Sequence, residues 1–139
     1  LARGVGSIEL VNRTPQRAEA LAAFFGGGVT VRRWSDIDRA LATAFLLVNT
    51  TTLGMSGHPP LEIDLAPLPT DAAVYDIVYT PLRTALLAAA ERRGLATVDG
   101  LGMLLHQAVP GFQLWFGVRP PVDVELRRLV EADILNPAG

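Results

Sequence analysis

The sequence predicts an α/β fold built on a parallel, doubly wound sheet, and three observations carry that expectation. Short apolar runs alternate with stretches of helical spacing along the chain, the order that parallel strands joined by right-handed crossovers produce. Half of the 139 residues are apolar, enough to bury a core. Turn-forming and helix-capping residues fall where strands should hand over to helices.

Taken in order, "LARG", residues 1 to 4, reads as the last turn of a helix closed by Gly4. Ile8, Leu10 and Val11 form a short strand. Thr14 and Pro15 follow as N-cap and first helical position, since a threonine hydroxyl can accept an orphan N–H and proline has none to lose. Ala18, Leu21, Ala22 and Phe25 share a helical face, and Gly26 to Gly28 end the helix. Val29 to Val31 is a β-branched strand. "WSDIDRAL" then predicts a short helix with Ser35 as N-cap, Asp38 three residues on, and Ile37, Ala40 and Leu41 facing inward. Phe45 to Asn49 is apolar almost throughout, the pattern of a strand buried on both faces, and "TTTLGMSGHPP" is the loop after it. Ala73 to Tyr79 is the next strand. Thr84 to Gly94 is a helix with a threonine cap, good helix formers, terminal arginines and a closing glycine. "LATV" to Val98 is a last strand. "DGLGMLLHQAVPGFQLWFG" is a helix bent near Pro110, and "VDVELRRLVEADIL" a closing amphipathic helix.

One strand of such a sheet is absent. In the order 3-2-1-4-5-6 the first strand lies between the second and the fourth. If residues 7–11 are strand two and 45–49 strand four, the strand between them is not in these residues. The expected sheet is therefore incomplete, and the chain is expected to continue upstream.

Composition narrows the chemistry. A net charge of −2 gives no electrostatic footprint for nucleic acid or an anionic membrane. No cysteine is present, so disulfides and thiolate chemistry are excluded. His58 and His106 lack metal-ligand spacing, and no metal site is expected. Apolar runs fall short of a bilayer span and no signal peptide opens the sequence, which predicts a soluble, cytoplasmic domain. All twelve cationic side chains are arginine; there is no lysine.

Candidate ligand residues collect at strand ends. Asn12, Arg13 and Arg17 sit where a strand's carboxyl end meets a helix, the place ligands occupy in open α/β sheets. In dinucleotide-binding folds a carboxylate here bonds a ribose 2′-OH, whereas arginine accommodates a 2′-phosphate; this turn has arginines and no carboxylate. Two guanidiniums one helical turn apart suit a phosphate dianion. Met103 and Gln107, at i and i+4, share a helix face, and Gly100 before them leaves room for a flat ring to approach the backbone.

Four stretches, "NRTPQRAEAL", "NTTTLGM", "YDIVYTPLRTALL" and "DGLGMLLHQAVPGFQLWFG", together resemble the carboxyl-terminal, cofactor-binding half of shikimate dehydrogenases, in the same order and spacing. The resemblance implies a Rossmann-like sheet over residues 1–139, with 100–139 as closing helices that return toward the substrate cleft. It implies NADP as cofactor, with Asn12, Arg13, Thr14 and Arg17 on the adenosine 2′-phosphate. Asn49, Thr50 and Thr51 would line the ribose and pyrophosphate, and Ile77, Gly100 and Met103 the nicotinamide. Tyr79 would point to the substrate carboxylate and Gln107 to its hydroxyls. The implied reaction is reversible hydride transfer between NADP(H) and 3-dehydroshikimate or shikimate, a step of aromatic amino-acid biosynthesis by way of chorismate. Dimers are known in the family. The family's proton-donating lysine and its partner aspartate lie in the amino-terminal domain, and this sequence has no lysine, so no catalytic residue is assigned to it. The alternatives are a quinate/shikimate dehydrogenase paralogue and a non-catalytic nucleotide-binding regulatory module.

Overall fold

A computed structural model describes residues 4–136. The helical turn expected at "LARG" falls on residues 1–3, outside the described ones. The chain forms two compact units: residues 1–44 with 66–69, and residues 45–65 with 70–139.

The first unit is a βαβ crossover. β1 (Ile8–Val11) and β2 (Val29–Arg32) pair in parallel, with Ile8 opposite Val29 and Val11 opposite Arg32. α1 (Pro15–Phe25) joins them, and Gly26 closes it at a φ of 71° that an L side chain would resist. Thr14 stands at the N-cap as expected, but its hydroxyl makes no capping bond. The expected inward face is only partly covered: Ala18 is buried, while Leu21 and Phe25 are exposed. A two-stranded sheet offers too little area to cover a helix of 11 residues. After β2 the chain does not cap at Ser35. A 3-10 turn takes Trp34–Asp36, and α2 (Ile37–Leu41) grows from it with Leu41 buried.

The second unit carries a three-stranded parallel sheet in the order β3-β4-β5, formed by Leu46–Asn49, Ala73–Asp76 and Ala96–Val98. Leu46 pairs with Ala73, and Ala73 with Ala96. α3 (Ala85–Arg92) packs on β4 and β5, burying Leu86, Leu87 and Ala90 against Val74. Its caps are those read from the sequence: Thr84 accepts from the Leu87 amide, and Gly94 follows the end at φ 71°. α4 (Leu101–Phe116) runs unbroken through Pro110, with Leu101 and Val109 buried. α5 (Val124–Leu135) starts at Asp123, whose carboxylate accepts from the Leu126 amide.

Two strand expectations are corrected. β3 is not buried on both faces: Leu46 and Val48 are exposed and only Leu47 and Asn49 turn inward, because α3 covers β4 and β5 instead. β4 does not reach Tyr79. It stops at Asp76, whose side chain accepts from the Val78 amide at 3.1 Å and draws the next residues out of the ladder. The sheets are small and parallel, as a doubly wound α/β fold requires, and no helix among the described residues is long and apolar enough to cross a membrane.

Candidate functional site

At the carboxyl end of β1, Asn12 builds the turn: its Oδ1 accepts from the Thr14 amide at 2.8 Å. The Arg17 amide donates to the Thr14 carbonyl at 3.1 Å, which opens α1. With the cap position filled but no capping bond made, the Thr14 hydroxyl stays uncommitted among the described residues. Arg13 and Arg17 flank it, both exposed and neither ion-paired among the described residues. Positive backbone charge at a helix start adds to their field. The one carboxylate on β1, Glu9, is held by Arg32 across the strands at 2.7 Å, a contact that raises the Arg32 pKa chiefly through the hydrogen bond. The turn is thus cationic and carries no carboxylate of its own, while Asp36, beyond the end of β2, acts on Arg32. The sequence reading passed over Arg33. It lies one residue past the Val11–Arg32 register pair, at the same strand end, and "VRRW" was the available signal.

In the second unit, the ends of β3, β4 and β5 are fastened together. The Ile77 amide donates to the Asn49 carbonyl at 3.1 Å, and the Gly100 amide to the Val78 carbonyl at 3.2 Å. This brings Asn49, Ile77 and Gly100 to one edge of the sheet, where an α/β fold places its ligands. The fold itself also requires a glycine at position 100. A Cβ there would stand 2.0 Å from the Ile77 carbonyl oxygen, so the space a side chain would fill is taken by the chain's own backbone. Asn49 is 2 % exposed and its amide is bonded to Leu53, Thr51 and Asp76. Thr50 is exposed beside it, and the Thr51 hydroxyl donates to Asn49 and accepts from the Leu53 amide.

Tyr79 is 39 % exposed, and its phenol has no partner among the described residues, unlike a core tyrosine satisfied by backbone. On α4, Met103 is half-buried while His106 and Gln107 are exposed. Asp99 fixes the start of that helix. One of its oxygens accepts from the Leu101 amide at 3.0 Å and the other meets Arg127 of α5 at 2.6 Å, while Arg127 reaches Glu131 at 2.7 Å. The Asp99 hydrogen bond is the main cause of a raised Arg127 pKa. Tyr75, on β4, has its pKa raised first by burial and then by the charge of Asp99. Asp76, Thr84 and Asp99 were not singled out from the sequence as site residues. Their importance rests on partners far along the chain.

Comparisons with known proteins agree on one relationship. The profile described as "Shikimate 5'-dehydrogenase C-terminal domain" matches residues 100–127. Shikimate dehydrogenase (NADP(+)) of Rhodopseudomonas palustris strain TIE-1 is 64 % identical over 134 residues, which is 96 % of this chain and 48 % of that protein. Among solved structures, quinate dehydrogenase from Corynebacterium glutamicum in complex with NAD is similar at a TM-score of 0.82 and 34 % identity, over 94 % of this chain and 48 % of that one. Shikimate 5-dehydrogenase from Thermus thermophilus, in complex with NADP(H) and shikimate, is similar at a TM-score of 0.77 and 32 % identity, over 96 % and 48 %. The chain spans about half the length of the curated relatives it matches, and the likeness runs along nearly all of its own length.

Proposed function

We propose that this chain is the NADP-binding half of a shikimate dehydrogenase, an oxidoreductase that interconverts 3-dehydroshikimate and shikimate in the cytoplasm. The observation that carries the proposal is the turn at the end of β1: two exposed guanidiniums without carboxylate partners, a free hydroxyl and a helix start. That donor set fits a phosphate monoester, and it lacks the carboxylate that would bond a bare 2′-hydroxyl. Asn12, Arg13, Thr14 and Arg17 would hold the adenosine 2′-phosphate. Asn49, Thr50 and Thr51 would stand at the ribose and pyrophosphate, and Ile77, Gly100 and Met103 at the nicotinamide.

When bound, NADP supplies the hydride acceptor and its reduced form the donor. The chain's own residues orient and recognise. Tyr79 offers a free phenol O–H to a substrate carboxylate, and Gln107 an exposed amide that can both donate and accept toward hydroxyls. No residue here is proposed as the proton donor. Residues 100–139 are proposed as closing helices that return toward the substrate cleft, and the working protein as a homodimer.

Likeness to a quinate dehydrogenase holding NAD gives the second reading, a paralogue acting on another polyol acid. Substrate profiling separates the two, and the cofactor reading itself is tested at the turn. R13A and R17A should each weaken NADP binding by about five- to thirtyfold, since an exposed charge-assisted contact contributes about 1–2 kcal/mol. NAD binding should change less than about twofold. Equal losses for both cofactors, measured by titration calorimetry, would remove the 2′-phosphate from the argument.

A further inference from the structure

We propose that Asp76 is a positioning residue: with Asn49 and Thr84 it forms one buried polar chain that sets the 49–54 loop for the pyrophosphate and the nicotinamide-side ribose of the dinucleotide. The proposal rests on the NADP reading above and goes beyond it by separating residues that touch the cofactor from residues that place them.

Among the described residues, the buried polar side chains are Asn49, Asp76 and Thr84, at 2 %, 0 % and 1 % exposure, and they are bonded to one another. An asparagine amide has two N–H donors and two acceptor positions. Asn49 spends all of them inside the chain: its Nδ2 donates to the Leu53 carbonyl and to Asp76 Oδ1, both at 3.0 Å, and its Oδ1 accepts from the Thr51 amide at 3.0 Å and the Thr51 hydroxyl at 2.8 Å. Its side chain can reach a ligand only by giving up a bond it already has. Asp76 is surrounded by donors alone. Oδ1 takes Asn49 and the Val78 amide at 3.1 Å, and Oδ2 takes the Thr84 hydroxyl at 2.7 Å. The same Thr84 hydroxyl accepts from the Leu87 amide at 3.3 Å, and its one proton goes to Asp76.

The chain of bonds therefore links three backbone features: the loop after β3, the turn after β4 and the first turn of α3. The loop itself lies outside the strand ladder. Gly54, at φ 91°, packs on this network, with its Cβ position 3.6 Å from Thr84 and 4.0 Å from Asp76 Oδ2. Burying a carboxylate is a poor way to gain stability when an apolar residue would serve, which points to placement as the role. Thr50 and Thr52 keep exposed hydroxyls with no partner among the described residues, so the loop that this network places offers free groups beside the committed Asn49 side chain.

Asp76→Asn keeps the shape but sets an amide N–H against the Thr84 hydroxyl, leaving the hydroxyl proton without its acceptor. Thr84→Val removes that hydroxyl, and Thr84→Ser restores it. The experiment titrates NADP and 2′,5′-ADP, which lacks the nicotinamide half, into the purified chain and follows amide exchange in residues 50–57. D76N and T84V should weaken NADP about tenfold, leave 2′,5′-ADP within about twofold and speed exchange in the loop, while T84S behaves as the parent. Equal loss of both ligands in D76N and T84V would show a merely structural group. Unchanged NADP affinity or unchanged loop exchange in these variants would overturn the positioning role alone. A parent chain that binds neither ligand would overturn the NADP reading, and this role with it.

Discussion

Replacing Gly100 by alanine should be among the most damaging single changes in this chain, and its size follows from three distances. The residue has φ −76° and ψ −10°, a conformation open to any L-amino acid, so backbone strain contributes nothing. The obstacle is space. An added Cβ would meet the Ile77 carbonyl oxygen at 2.0 Å, its carbon at 2.3 Å and the Val78 oxygen at 2.7 Å. All three atoms are backbone, so no rotamer change relieves the clash, and the end of β4 and the start of α4 must part by more than about 1 Å to reach ordinary contact distance. That breaks the bond from the Gly100 amide to the Val78 carbonyl. Overpacking costs about 1–3 kcal/mol and a buried backbone pair left open about 1–3 more, giving about 2–6 kcal/mol. Thermal unfolding followed by circular dichroism should show the midpoint falling by at least about 6 °C. Gly102 is the control: it lies inside the same helix with nothing within 4 Å of its Cβ position. G102A should stabilise by about 0.5–1 kcal/mol. If G100A melts within about 2 °C of the parent, the packing of β4 against α4 described here is wrong.

Two further outcomes are expected. Tyr75 has a raised pKa, so the folded state holds the phenol proton more tightly than the unfolded chain; this contribution is present below about pH 10 and is lost as pH rises through the folded value. Y75F should therefore flatten the alkaline fall of the melting midpoint, and an unchanged slope would point to another group. If the proposed function holds, with proton transfer by the lysine that shikimate dehydrogenases carry in their amino-terminal domain, purified residues 1–139, which contain no lysine, should show no shikimate-dependent formation of NADPH by absorbance, and robust turnover would place a proton donor among these residues.

The site was legible where its signal is local. Asn12, Arg13, Thr14 and Arg17 fall within one turn of chain, and the strand that precedes them and the helix that follows are written in spacing and in Pro15. Met103 and Gln107 share a face of α4 by arithmetic alone. Thr84 was read as a cap, and it is one. What spacing cannot show is what a polar atom meets. Asn49 was read as a cofactor contact, and spacing did not show that its side-chain amide is bonded within the chain, once to a residue 27 positions away. Gly100 was read as making room for a ligand, and spacing did not show that the Ile77 carbonyl also presses on it.

By itself, then, the sequence determined the alternation of strands and helices, the caps of α3 and the cationic turn after β1, because each depends on residues a few positions apart. Tertiary structure alone decided that β3 leaves one face open, that β4 ends at Asp76, and that Asn49, Asp76 and Thr84 join as one buried chain. Those outcomes depend on the register of parallel strands, which sets distant polar groups within hydrogen-bonding distance and which no local pattern of apolar residues records.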